Sequence, residues 1–185
     1  MEQQKIKLSQ DELYQYLNDH DVKVIRLAEL MGKTPQAIIS NFRHHANAHG
    51  NPRRFSVENC RQLTEALRVI ASELRGCVMT FGTEEKYTNN HGRTYDPGMI
   101  KPLYRVGELL NLTHLVERML GWNKGKRTSV LTDKISKAYG NVSAADVLII
   151  NIEIASIAGV LDLVEIVPDE NAFDGNNSSD SSDTL

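Results

Sequence analysis

The chain has 185 residues, 41% of them hydrophobic, and a formal net charge of −3. This composition excludes a wholly disordered chain and argues against a general nucleic-acid coat. It has no long apolar run, its N-terminus is polar, and Cys60 and Cys77 form neither a disulfide framework nor a metal-binding set. The sequence therefore predicts a soluble cytoplasmic protein that does not bind a membrane.

Helix-capping signals mark the first three helices. Ser9 and Glu12 form a capping box before the first helix. The second helix is amphipathic and stops at Gly32. Thr34 and Pro35 directly follow and supply an N-cap and a proline at the first position of a third helix. The turn between the second and third helices is therefore short.

The last elements of the first half are a long helix and a strand. Gly50 and Pro52 both interrupt helical structure, so the residues around them predict a loop. Ser56 then starts a helix that ends at Gly76. The side chains of residues 77–81, CVMTF, alternate along the chain as in a strand, and the segment is rich in β-prone residues. It therefore predicts a short strand.

The second half repeats this order of elements. The last helices of the two halves align without a gap from Phe55/Val142 to Leu74/Leu161, and Gly121 ends a helix as Gly32 does. The shared order of caps, glycines, helices and strand indicates an internal duplication. The predicted helices and strand of the second half lie at residues 99–111, 112–120, 124–140, 144–161 and 163–167.

The predicted fold is mainly α, with two related helix-turn-helix domains that are each followed by a short β-strand. The first domain covers residues 1–80 and the second covers residues 99–168. Turn-forming residues at 81–98 predict a linker or an exposed hairpin. Residues 169–185 hold five acidic residues and no Lys or Arg, so they predict a disordered acidic tail.

The third helix, residues 35–47, has an apolar face and a polar face. At about 100° per residue the apolar side chains fall on one side of the helix. The opposite side carries residues suited to base edges: Gln or Asn for adenine, Arg for guanine, Ser for either, and a methyl group for thymine. The apolar residues are Ile38, Ile39, Phe42 and Ala46. The candidate base-contacting residues are Gln36, Ala37, Ser40, Asn41, Arg43 and His44.

Residues 33–54 contain four basic residues and no acidic residue. Side chains at the ends of the helix and outside it are placed to hold the DNA backbone. The candidate phosphate contacts of the first half are Lys33, Thr34, Asn47, Arg53 and Arg54.

The segment RLAELMGKTPQAIISNF, residues 26–42, resembles the phage-repressor-like helix-turn-helix family of bacterial DNA-binding regulators. Ala28, Gly32 and Ile38 occupy the small, turn and core positions of that family. Asn41 departs from the pattern, because an apolar residue is usual near it, and Phe42 can fill that space instead. The resemblance covers residues 23–75 and implies that the third helix lies in the DNA major groove.

The second half matches the pattern less well, because its turn is longer and contains Trp122. Asn123 would cap the next helix, and basic residues cluster at its N-terminus, where free amides and the helix dipole favour phosphate. Two interpretations stay open: a phosphate-binding unit, or a structural copy that does not bind DNA. The candidate phosphate contacts there are Lys124, Lys126, Arg127 and Ser129.

Other signals are weaker. His45 and His49 have the spacing of helical metal ligands, but no cysteine or carboxylate completes a set, so no metal site is predicted. Cys60 fits a partly buried helix residue better than a nucleophile. Trp122 could stack on a base, although a lone tryptophan is more often a core residue. Nothing indicates an enzyme or a cofactor.

The sequence predicts sequence-specific binding to double-stranded DNA, as a transcriptional regulator and with a homodimer as a further possibility. The alternative is a protein-interaction module, antitoxin-like or an adaptor, that retains the helix-turn-helix fold. The acidic total and the acidic tail favour this alternative.

Overall fold

The computed structural model describes residues 3–42, 54–80, 87–88, 94–95, 97–120 and 144–169. Within these ranges the chain is mainly helical, as the sequence predicts. The helices are α1 (Gln10–Asp19), α2 (Val24–Leu30), α3 (Pro35–Phe42), α4 (Val57–Arg75), α5 (Pro97–Leu109), α6 (Leu112–Leu120) and α7 (Ala144–Leu163). The strands are β1 (Ile6–Leu8), β2 (Tyr87–Thr88), β3 (Thr94–Tyr95) and β4 (Val164–Ile166).

The predicted starts of α1, α3 and α4 are confirmed, and a side chain satisfies one exposed backbone amide at each of them. The Glu12 carboxylate accepts from the backbone N–H of Ser9 at 2.8 Å. Thr34 Oγ1 accepts from the Ala37 N–H at 3.2 Å, and Ser56 Oγ accepts from the Asn59 N–H at 3.1 Å. These are the N-cap bonds that begin α1, α3 and α4.

One predicted strand is wrong. Residues 77–80 are described but belong to no strand. Cys77 and Met79 are buried and the residues between and after them are exposed, so the alternation in the sequence does report burial. The backbone bonds of this segment, however, go to the Asn151 side chain and to the Gly98 carbonyl rather than to a neighbouring strand.

The sheet instead joins the two ends of the described chain. β4 lies where residues 163–167 predict a strand, and it pairs in parallel with β1, which the sequence analysis did not predict. Ile6 lies opposite Val164 and Leu8 lies opposite Ile166. A strand of three residues is too short to produce a recognisable alternation. β2 and β3 form a separate antiparallel pair within residues 81–98.

The core is built around the contact between α4 and α7, so both halves of the chain contribute to it. Each helix buries one leucine or isoleucine per turn against the other, as ridges of side chains on packed helices do. The buried positions are also equivalent in the alignment of the two helices. The aligned pairs are Leu63/Ile150, Leu67/Ile154, Ile70/Ile157 and Leu74/Leu161.

Two polar residues inside this contact bind the segment that follows the other helix. Thr64 Oγ1 accepts from the Ile166 N–H at 2.9 Å. Asn151, which aligns with Thr64, accepts from the Met79 N–H at 2.9 Å and donates to the Met79 carbonyl at 2.8 Å. Extended past the helix ends, the same alignment pairs Met79 with Ile166. The hydrogen bonds of Thr64 to Ile166 and of Asn151 to Met79 therefore join equivalent positions of the two halves.

Three further contacts lie at or after the ends of α4 and α7. The Val167 N–H donates to the Leu8 carbonyl at 2.9 Å, and the Thr80 N–H donates to the Gly98 carbonyl at 2.9 Å. Arg75 and Asp162, which occupy aligned positions, form an ion pair across the two helix ends.

A buried carboxylate, that of Asp21, forms a further set of contacts between the two halves of the chain. Asp21 has a φ of 59°, in the left-handed region that Asp tolerates better than most residues. Its carbonyl accepts from the Asn111 N–H at 2.7 Å. Its carboxylate contacts His114 and accepts from Arg118 at 2.9 Å. Arg118 also binds Glu153 of α7 at 3.1 Å, so the turn between α1 and α2 is joined here to α6 and α7.

We expect Asn151→Ala to lower the free energy of unfolding by about 1–3 kcal/mol, because it leaves the N–H and carbonyl of buried Met79 without their side-chain partner. Urea titration followed by circular dichroism measures this loss. Ser156→Ala, at an exposed position of the same helix, is the control and should change stability by less than about 0.5 kcal/mol. Equal effects of the two substitutions would contradict the role of Asn151.

A pH dependence of stability follows from His20. Burial lowers the pKa of His20 below its usual value of 6.5, so the unfolded chain takes up this proton more readily than the folded one. Stability from His20 is then present above pH 6.5 and is lost as the pH falls through that value. We expect His20→Phe to flatten the fall in urea midpoint between about pH 7.5 and about pH 5. An unchanged slope would contradict this.

Candidate nucleic-acid interface

The turn between α2 and α3 depends on Gly32. Gly32 has a φ of +63°, which a residue with a side chain adopts only at a cost. Its N–H donates to the Glu29 carbonyl at 3.1 Å, and the Lys33 N–H donates to the Ala28 carbonyl at 2.9 Å. These two bonds form a Schellman motif, which ends α2 and reverses the chain. α3 begins three residues after Gly32.

The inner face of α3 fixes it against α2 and α1. Ile38 is buried, and so are Leu27 and Ala28 of α2. The small side chain of Ala28 lets the two helices approach closely. The sequence predicts Ile38 and Ala28 in these roles, and both predictions are confirmed.

The outer face of α3 is polar at its N-terminal end. Gln36 and Ala37 are exposed, and Ser40 is half-buried. The Ser40 hydroxyl donates to the Ala37 carbonyl at 3.1 Å, which leaves its oxygen able to accept one further bond. Three of the six candidate base-contacting side chains therefore lie together on one side of the first two turns.

The basic residues around α3 differ in their partners. Lys33 Nζ donates to the neutral amide oxygen of Asn59 at 2.5 Å, which holds it between the turn and the start of α4. Arg54 instead pairs with Asp11 at 3.0 Å and with Asp169 at 2.9 Å. Of these two candidate phosphate contacts, only Lys33 keeps its charge next to a neutral group.

Acidic side chains also lie near the start of α4 and on α2. Glu58 accepts from Arg61 and Gln62, and the hydrogen bond from Arg61 is the main cause that lowers its pKa to about 2. Glu29 pairs with Arg26 at 3.0 Å. The described surface around α3 is thus mixed in charge rather than uniformly basic.

An ion-pair network next to this unit was not predicted. Arg26 of α2 pairs with Glu73 of α4 at 2.7 Å, and Glu73 pairs with Arg105 of α5 at 2.9 Å. Arg105 also pairs with Glu108. Arg26, Glu73 and Arg105 are far apart in sequence, so no local pattern could reveal the pairs that join them. The network joins α2 to α4 and α4 to α5.

Several predicted residues lie outside the description. Asn41 belongs to α3, but its side chain is not described. Thr34, by contrast, is described and is exposed at the start of the helix. The predicted helix at 124–140 and residues 170–185 of the predicted tail also fall outside the described ranges. The remaining candidate contacts there are Arg43, His44, Asn47, Arg53, Lys124, Lys126, Arg127 and Ser129.

Cys60 is buried in α4, and burial raises the pKa of its thiol, which makes it a poor nucleophile. In the part of the chain that the structure describes, no group of histidine, cysteine and acidic side chains could hold a metal ion. Among the same residues, every helix falls short of the length and apolar character that a membrane crossing requires.

Comparisons with protein-family models, with curated proteins and with solved structures find no match for this chain.

We expect Gly32→Ala to lower the free energy of unfolding by about 1–2 kcal/mol, because alanine must adopt the left-handed conformation. Gly107→Ala is the matched control. Its added Cβ would lie 3.6 Å from Leu112, an ordinary contact, and alanine favours a helix interior by up to about 1 kcal/mol. Urea titration compares the two. A Gly32→Ala protein as stable as Gly107→Ala would contradict the strained turn.

Proposed function

We propose that this protein binds double-stranded DNA in a sequence-specific manner and regulates transcription, with α2, the Gly32 turn and α3 acting as a helix-turn-helix. The observation that carries the proposal is the Schellman turn at Gly32, which presents the polar N-terminal face of α3 outward. Helix-turn-helix proteins place that end of the second helix against base edges.

The exposed residues of α3 have the chemistry of base contacts. The Gln36 side chain can donate and accept two parallel bonds with adenine, and the Ala37 methyl group can pack against a thymine methyl. Ser40 can accept a bond through its hydroxyl oxygen. We assign Asn41, Arg43 and His44 to the same groove from the sequence pattern.

Phosphate contacts would hold α3 in place. Lys33 is the best supported of these, since Asn59 holds it beside the turn. Arg54 would have to exchange the carboxylates of Asp11 and Asp169 for a phosphate, so it should contribute less to affinity than Lys33. Thr34, Asn47 and Arg53 complete the set by their position in the sequence.

We also propose that the two halves are copies of one helix-turn-helix unit. Two observations support this. Thr64 and Asn151 form hydrogen bonds at equivalent positions, and the buried positions of α4 and α7 align. The second copy would contribute Lys124, Lys126, Arg127 and Ser129 as phosphate contacts, and the protein would act in the cytoplasm, with homodimers as a further assembly.

The mixed charge around α3 supports a second candidate function, a protein-interaction module that keeps this fold. Arg26 and Arg54 are both paired with carboxylates, which lowers the positive potential that DNA requires. Such a module would not bind DNA at low salt.

Fluorescence anisotropy on DNA duplexes, titrated at several salt concentrations, tests the proposal. We expect Lys33→Ala to weaken binding to all duplexes about equally and to reduce the log–log salt slope by about 1. Lys7→Ala, which removes the same charge from an exposed position of β1, should leave the slope unchanged.

Gln36→Ala tests base reading after a preferred site has been selected. We expect it to lower the preference for that site over mixed sequence by about 1–3 kcal/mol while the salt slope stays the same. Gln15→Ala removes the same side chain from α1 and is the control. DNA binding that is indifferent to both Lys33→Ala and Gln36→Ala would contradict the assigned interface, and no binding at low salt would favour the protein-interaction module.

A further inference from the structure

The outward side of α7 is apolar along most of its length. Five of its exposed residues follow one another at alternating intervals of three and four positions. This is the heptad spacing of helices that pack against a second helix. Leu148 and Ile152, the two large ones, are each 60% exposed. We call this set the α7 stripe. Its members are Ala145, Leu148, Ile152, Ala155 and Gly159.

The aligned helix α4 shows what the fold itself requires at these positions. All five equivalents are exposed and polar, and four of them form two ion pairs with one another. No described element of the first half covers that side of α4. The fold thus leaves this side of each helix open to solvent, and only α7 fills it with apolar residues. The equivalents are Glu58, Arg61, Glu65, Arg68 and Ser72.

We propose that the α7 stripe is the contact surface for a second copy of this chain, with the two α7 helices antiparallel about a twofold axis. An axis between Glu153 and Ile154 sets Leu148 opposite the partner's Gly159 and Ile152 opposite the partner's Ala155. Large side chains then face small ones at both of these pairs, and Ala145 lies opposite the partner's Asp162. The space above Gly159 is open, since a Cβ added there meets nothing within 4 Å.

The charges beside the stripe fit this arrangement. Asp162, near the C-terminal end of α7, is paired with Arg75 of its own chain and would also lie by the N-terminal end of the partner's α7, where the helix dipole favours a negative charge. Glu153 lies nearest the axis and is already paired with Arg118 at 3.1 Å, so the two copies do not bring unpaired like charges together.

The small size of the surface favours a weak dimer. A contact limited to about three helical turns buries less than the roughly 800 Å² per partner of a standard stable interface. The dimer is therefore weak, with a dissociation constant of about 1–100 µM.

Sedimentation equilibrium of the full chain tests the proposal without DNA, so its outcome is independent of the proposed function. We expect wild-type protein to dimerise in this range and Ile152→Glu to raise the dissociation constant at least about tenfold, because a charge is buried in the contact. Ile25→Glu is the matched control: it makes the same change at a 57% exposed isoleucine of α2 and should leave dimerisation unchanged.

Gly159→Leu separates the dimer from an effect on folding. Leucine favours a helix more than glycine does, so this variant should unfold at a higher urea concentration, yet it should dimerise more weakly because it blocks the space for the partner's Leu148. Mixing Ile152→Cys and Ala155→Cys chains under oxidation should give a mixed cross-linked dimer. Cys60 and Cys77 are buried and should not compete.

Four results would overturn the proposal. The first is wild-type protein that stays monomeric at several times the highest expected dissociation constant. The second is equal weakening by Ile152→Glu and Ile25→Glu. The third is cross-linking only between two Ile152→Cys chains, which requires parallel helices. Slow reaction of a Leu148→Cys thiol in a monomeric protein would place a segment of the same chain over the stripe, and would also overturn it.

Discussion

The packing of α4 against α7 is the contact on which the other elements depend. Thr64 and Asn151, one on each helix, hold the segment that follows the other helix. The β1–β4 pair has only three residues per strand and could not persist alone in water. It exists because β4 leaves α7 where Thr64 binds the Ile166 N–H. The same helix contact therefore positions β1 and β4 and, through Glu73 and Arg26, helix α2.

Local signals predicted the helices well because their causes are local. A cap at Ser9, Thr34 or Ser56 acts within four residues of itself, and so does the glycine turn after α2. The strand predicted at residues 77–81 is wrong because alternation reports which side chains are buried, not what the backbone bonds to. Asn151 is far away in sequence and replaces a strand partner there. β1 was missed for the same reason, since its partner is at the other end of the chain.

The same difference between local and distant causes applies to the residues of the candidate interface. Gln36 and Ala37 on the outer face of α3 and Ile38 on its inner face follow from helical periodicity alone. The partners of Arg54 do not, because Asp11 and Asp169 reach it only through the fold. The net charge of a stretch of sequence is thus a poor guide to its potential: residues 33–54 contain no acid, yet acids from elsewhere neutralise Arg54.

The two aligned helices separate what the fold requires from what a partner requires. Their buried positions match because the contact between α4 and α7 constrains both sides equally. Their outer sides differ, and the fold constrains neither. Charged residues on α4 need no further explanation, since water solvates them. An exposed apolar stripe on α7 promotes association, and the proposed dimer would cover it.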